Sequence, residues 1–247
     1  SDGERVIGTM DETSAFSQLH EHAVYLHGAD TYFVEELDVE QKIAHVRRLD
    51  LDYYTQSVPA SQIRVDATER ESLWRGATLG LGEVTVTTVI PMFKKIRFEH
   101  RDSLGFEQLE LPPQNLETVA MWLAPPEEIV REMMSRQMIV GEALIGVANA
   151  LVDVAPLYVM CDVQDIGATV DARCLGRDAL FVYDRYPGGI GYADRILGAI
   201  EDILRTARTV IEECACADGC PSCVGAPVPP PFTDDLDSTV RGRIPDK

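Results

Sequence analysis

The 247-residue sequence is short of positive charge: 22 Lys and Arg stand against 41 Asp and Glu, for a formal net charge of −19. A surface this acidic repels phosphate backbones at long range, which argues against a chain that holds nucleic acid unaided. It has no signal-peptide features, because Ser1-Asp2-Gly3-Glu4 supplies neither a basic start nor an apolar stretch. It lacks a long uninterrupted apolar run: Met138–Met160 is broken by Glu142, Asn149, Asp153 and Pro156, which a bilayer core tolerates poorly. That stretch is expected to be buried helix in a cytoplasmic protein with no membrane partner. No phosphate loop ending in Gly-Lys-Ser/Thr and no Gly-x-Ser-x-Gly elbow occurs, so no catalytic residue is assigned. Cysteines are few, and four of the six crowd into ten residues, unlike a secreted disulfide scaffold.

What is present is ordinary globular material, 45% apolar and 26% charged, enough for one large domain or two small ones. Residues 1–122 read as β-rich. Ala23–His27 and Thr31–Val34 flank a Gly28-Ala29-Asp30 turn as a hairpin, Ile43–Arg47 is a further strand, and Glu83–Ile90 is dense in β-branched residues. Met92–Phe98 is expected to return beside that strand, with Pro91 at a bend. Short strands at this spacing suggest a small barrel or sandwich. Residues 123–247 change character after Pro125-Pro126. Helices are expected over 127–138 and 140–154, a strand over Ala179–Tyr183, and a long amphipathic helix through Ile196–Ile211. The expected class is α+β, a β-rich domain followed by a mixed helical one.

The chemistry concentrates in Cys214-x-Cys216-xxx-Cys220-xx-Cys223. Two close thiol pairs across a turn at Asp218-Gly219 can fill four tetrahedral corners of zinc. A site filled by four cysteines leaves no open position for water, so it is structural rather than catalytic. Disulfide or thiol redox chemistry, with Cys220 and Cys223 as the pair, is the competing reading. Cys161 and Cys174, in apolar surroundings, are expected to be buried thiols.

Charge is unevenly distributed, at −8 over residues 1–70, +2 over 71–101 and −13 over 102–247. The positive stretch interleaves Lys94, Lys95, Arg97 and Arg101 with Phe93 and Phe98, the ingredients of a single-strand DNA path. The same residues fit an edge strand whose lysines prevent aggregation. Gly188-Gly189-Ile190-Gly191 before a helix reads as a tight strand-to-helix turn rather than a phosphate site. His20-Glu21-His22 lacks a convincing third metal ligand, and Asp162 and Asp165 read as caps.

Taken together, Tyr183-Asp184-Arg185-Tyr186-Pro187-Gly188-Gly189-Ile190-Gly191, the helix after it and the Cys-x-Cys-xxx-Cys-Pro-Ser-Cys-Val run resemble the C-terminal zinc-binding region of superfamily 2 DNA helicases of the MrfA and mycobacterial SftH type. Cys161-Asp162-xx-Asp165-Ile166-Gly167, Ala23–Gly28, Thr31-Tyr32-x-Val34 and Asp52–Thr55 extend the resemblance across essentially the whole chain. The resemblance implies a parent enzyme that uses ATP and Mg to move 3′ to 5′ along single-stranded DNA in repair, in the bacterial cytoplasm at the nucleoid. It implies zinc on the four cysteines, and partners in the parent's motor domains and, through them, single-stranded DNA. It also implies that this chain is a piece lacking the motor, its tail short of a last helix. The alternative is a zinc-stabilised protein-interaction domain that does not touch DNA.

Overall fold

The computed structural model describes residues 5–99 and 102–225. The fold is α+β, in two compact units: Ser1–Ala60 with Thr88–Gln114, and Ser61–Thr87 with Asn115–Lys247. These units do not coincide with a division at 122/123, which falls inside a single strand, β7 (Gln114–Ala124). The proline-rich Ala226–Pro231 lies outside the described residues.

In the first unit α1 (Glu12–Gln18) opens on Asp11, whose carboxylate accepts from the Ser14 N–H at 2.8 Å and caps the helix. An antiparallel sheet follows in the order β1 (Val24–His27), β2 (Asp30–Asp38), β3 (Ile43–Arg48). Its hairpin register, Val24 opposite Phe33 and His27 opposite Asp30, places the turn where the sequence predicts it. β5 (Ala77–Arg97) is much longer than expected, and β4 (Tyr53–Trp74) is a strand not expected from the sequence. The structure corrects the two-strand reading of 83–98: β5 runs straight through Pro91, whose carbonyl accepts from Leu109 N–H at 2.8 Å. The proline removes only a donor there, so the strand continues. β6 (Ser103–Gln108) pairs antiparallel with the Met92–Ile96 part of β5.

The second unit holds the rest of a six-stranded sheet, in the order β4-β5-β7-β9-β8, with β8 at Ile166–Asp171 and β9 at Ala179–Asp184. The sheet is open at β4 and β8 and does not close into a barrel. All six residues of β9 are buried because the strand separates two apolar clusters. Leu180 and Val182 join Leu151 of α3 (Val140–Val154) and Ile203 of α6 (Ile200–Glu213), whereas Phe181 and Tyr183 join Ile63, Val86 and Trp122. This is the period-two alternation of a strand covered on both faces, each buried side chain contributing about 1.5–3 kcal/mol.

Val140–Val159 is long and apolar enough, by length and composition, to cross a membrane. In the structure α3 within it packs on β8, β9 and α6. The expected continuous helix through Ile196–Ile211 is two helices, α5 (Tyr192–Gly198) and α6, broken at Ala199 (φ −105°, ψ 8°). Apolar periodicity survives such a break, since both segments bury the same side.

Candidate metal centre

The cysteine cluster follows directly from α6, which ends with Cys214 as its cap. Cys220–Cys223 form a tight turn: Cys223 N–H donates to the Cys220 carbonyl at 3.0 Å, and Cys220 N–H points at Cys223 Sγ at 3.3 Å. The four sulfurs all lie within 4.8 Å of one another. Sγ separations are 3.6 Å for Cys214–Cys220, 3.6 Å for Cys216–Cys223 and 3.7 Å for Cys220–Cys223. A zinc–sulfur tetrahedron with bonds of about 2.3 Å has edges of about 3.8 Å, close to these three separations, so the donor set suits zinc. Disulfides would need sulfurs at about 2.05 Å. The Cys216 backbone N–H holds the Cys214 thiol down to about 7, while desolvation pushes Cys216 up to about 12. Four thiolates this close repel one another, and a divalent cation is what lets them ionise together.

The glycine-rich turn already carries its own anion. Asp184, at the end of β9 and fully buried, accepts from Ile190 N–H at 2.6 Å, Gly191 N–H at 2.8 Å and Tyr192 N–H at 3.2 Å on Oδ2, and from Ala193 N–H at 2.8 Å on Oδ1. Gly188, Gly189 and Gly191 take positive φ (76°, 72°, 93°) to aim these donors. The carboxylate fills the start of α5 where a phosphate would bind, so the strand-to-helix reading holds. Asp162 and Asp165 make a reciprocal capping box around a single 3-10 turn, as expected.

The residues of the positive stretch are dispersed in role. Phe93 is buried at 1% exposure, tilted against His20 with ring centroids 4.4 Å apart, and offers no face to a base. Lys95 pairs with Glu107 and lies over the rings of Tyr53 and Phe93. Lys94 lies 5.8 Å over Phe106, Arg97 Nε is 3.8 Å from Asp52, and Phe98 is exposed beside Tyr54 at 5.4 Å. Arg101 lies outside the described residues. His20 is buried and its imidazole is held below its usual range by desolvation. His22 Nδ1 is 3.2 Å from Glu107 Oε2. Among the described residues, the four cysteines are the cluster suited to a metal. Cys161 and Cys174 are partly buried thiols packed against the two apolar clusters, Cys161 beside the Asp162–Asp165 turn and Cys174 where its Sγ accepts from Val65 N–H at 3.3 Å.

Residues 147–224 match the model of the MrfA Zn-binding domain. The chain is 37% identical over 228 residues to the uncharacterized ATP-dependent helicase YprA of Bacillus subtilis, covering 91% of this chain and 30% of YprA. It is 24% identical over 235 residues to the ATP-dependent helicase HRQ1 of Saccharomyces cerevisiae, covering 90% of this chain and 22% of HRQ1. The crystal structure of the DUF1998 helicase MrfA bound to DNA superposes with a TM-score of 0.62 at 36% identity, over 90% of this chain and 30% of that one. The chain thus spans less than a third of the length of each. The four sulfurs lie within the residues that match the MrfA Zn-binding domain, and nine-tenths of the chain is homologous to a part of the YprA, HRQ1 and MrfA helicases, consistent with a C-terminal zinc-binding region.

Proposed function

We propose that this chain is a non-catalytic accessory region of an ATP-dependent 3′-to-5′ DNA helicase acting in repair, and that it guides single-stranded DNA along the parent enzyme. The observation that carries the reading is the set of four sulfurs at zinc spacing within a domain of helicase kin. Cys214, Cys216, Cys220 and Cys223 would hold one structural zinc, which cross-links the end of α6 to the Cys220–Cys223 turn. ATP and Mg would act in the motor domains of the parent chain, in the cytoplasm at the nucleoid. The strand-guiding part rests on Lys94, Arg97 and Phe98, whose charges and exposed ring suit a backbone and a stacked base. The acidity of the chain assigns most of the binding energy to the parent. The test replaces Lys94, Arg97 and Phe98 with alanine in the whole helicase. Weaker strand binding with an increased salt sensitivity of unwinding is expected; unchanged binding and unwinding remove the DNA part of the proposal.

A protein-docking role is the second reading, favoured by Met160. This residue is 90% exposed in the left-handed conformation (φ 52°) beside Leu157, also exposed. Binding of the isolated chain to the motor domains but not to single-stranded DNA at low salt would favour docking.

A further inference from the structure

α3 is apolar along most of its length, and Asn149 is the one amide within it. Its Nδ2 donates to the carbonyl of Val224 at 2.9 Å, joining the middle of α3 to the residue after the last cysteine. Cys223 and Val224 are themselves buried. The next residue, Gly225, has φ +90°, and a Cβ there would lie 2.0 Å from Asn149 Nδ2. The end of the cysteine turn therefore approaches the amide more closely than any side chain allows. α3 also packs on α6, from whose end Cys214 starts the cluster, and on β8 and β9. One helix thus holds both ends of the metal centre, through packing at one and through a single hydrogen bond at the other.

We propose that Asn149 is the positioning residue of the zinc centre: its amide, against Gly225, clamps the Cys220–Cys223 turn on α3 and couples metal binding to the folding of the helical layer. The inference rests on the zinc reading. It is distinct from the four ligands, because Asn149 touches no sulfur and acts on the backbone that carries Cys223. Groups that orient a ligand in this way affect metal affinity by about 10–100-fold.

The test uses the purified zinc-loaded chain in competition with the chelator 4-(2-pyridylazo)resorcinol, alongside thermal unfolding of each variant. Asn149→Ala and Asn149→Asp, which keeps the shape but loses the donor, should each weaken zinc about 10–100-fold. Ile166→Val is the control, since Ile166 is buried in β8 away from the cysteines. It should lower the unfolding temperature with zinc affinity unchanged. Gly225→Ala should also weaken zinc, since its Cβ would lie 2.0 Å from Asn149 Nδ2 and 2.7 Å from Asn149 Cβ at a φ of +90°. Zinc affinity within twofold of native in the Asn149→Asp chain overturns the proposal. So does an equal loss of affinity in Ile166→Val. A native chain that holds no zinc defeats the zinc reading itself, so the two failures are distinguishable.

Discussion

Replacing Asp184 with asparagine is the most demanding test of how the second unit is held. The carboxylate accepts four backbone N–H groups, three on Oδ2 and one, from the buried Ala193 N–H, on Oδ1. An amide of the same shape has one acceptor oxygen. With that oxygen in the Oδ2 position, three bonds persist but lose their charge assistance, about 0.5–1 kcal/mol each. The amide NH2 then faces Ala193 N–H, stranding a buried donor at about 1–3 kcal/mol. The total is about 2.5–6 kcal/mol, a large part of the roughly 5–15 kcal/mol typical of a domain. Urea unfolding of the zinc-loaded chain reads this directly. At an m-value of about 2 kcal/mol/M, the midpoint of Asp184→Asn should fall by roughly 1.3–3 M. Asp162→Asn, which changes an exposed capping residue, should cost about 1 kcal/mol or less. A midpoint for Asp184→Asn within about 0.3 M of native would refute the claim that the glycine turn is organised around this carboxylate.

Gly80→Ala places a Cβ 2.1 Å from Trp122 Cε2, and overpacking of this kind should destabilise by about 1–3 kcal/mol or more, read by tryptophan fluorescence during unfolding. Cys216→Ser removes one of four zinc corners. It should leave the chain with far less bound zinc and a lower unfolding temperature, checked by metal analysis and calorimetry. For His20, burial disfavours the imidazolium, so its folded value lies below 6.5. Below pH 6.5 the unfolded chain takes up a proton that the folded one resists, so stability present above pH 6.5 is lost on acidification. Unfolding midpoints at pH 7.5, 6.5 and 5.5 should fall in that order, and His20→Phe should flatten chiefly the difference between the last two.

The parts legible in sequence are those with a local cause. The β1–β2 hairpin follows from its turn, β9 from its apolar run, α3 from its length, and the metal centre from cysteine spacing alone. β4 was not legible, because its exposed Arg64, Asp66, Glu69, Arg70 and Glu71 give an edge strand the polarity of a loop. The α5–α6 break left no trace in the apolar period, and the units of the chain depend on pairings between residues far apart in sequence. Charge clustering near Lys94 exaggerated a surface, since Phe93 and Lys95 share one face of the strand, where Phe93 is buried and Lys95 is paired with Glu107. Asp184 and Asn149 had signals of their own: an aspartate just ahead of a glycine-rich turn, and a lone amide in an apolar helix.

The most direct measurement on the central claim is the zinc content of the purified native chain, with thiol accessibility before and after chelation. One zinc per chain, with Cys214, Cys216, Cys220 and Cys223 protected until the metal is removed, is the expected result. Four accessible thiols with well under one zinc per chain, or a disulfide among the four, would contradict it.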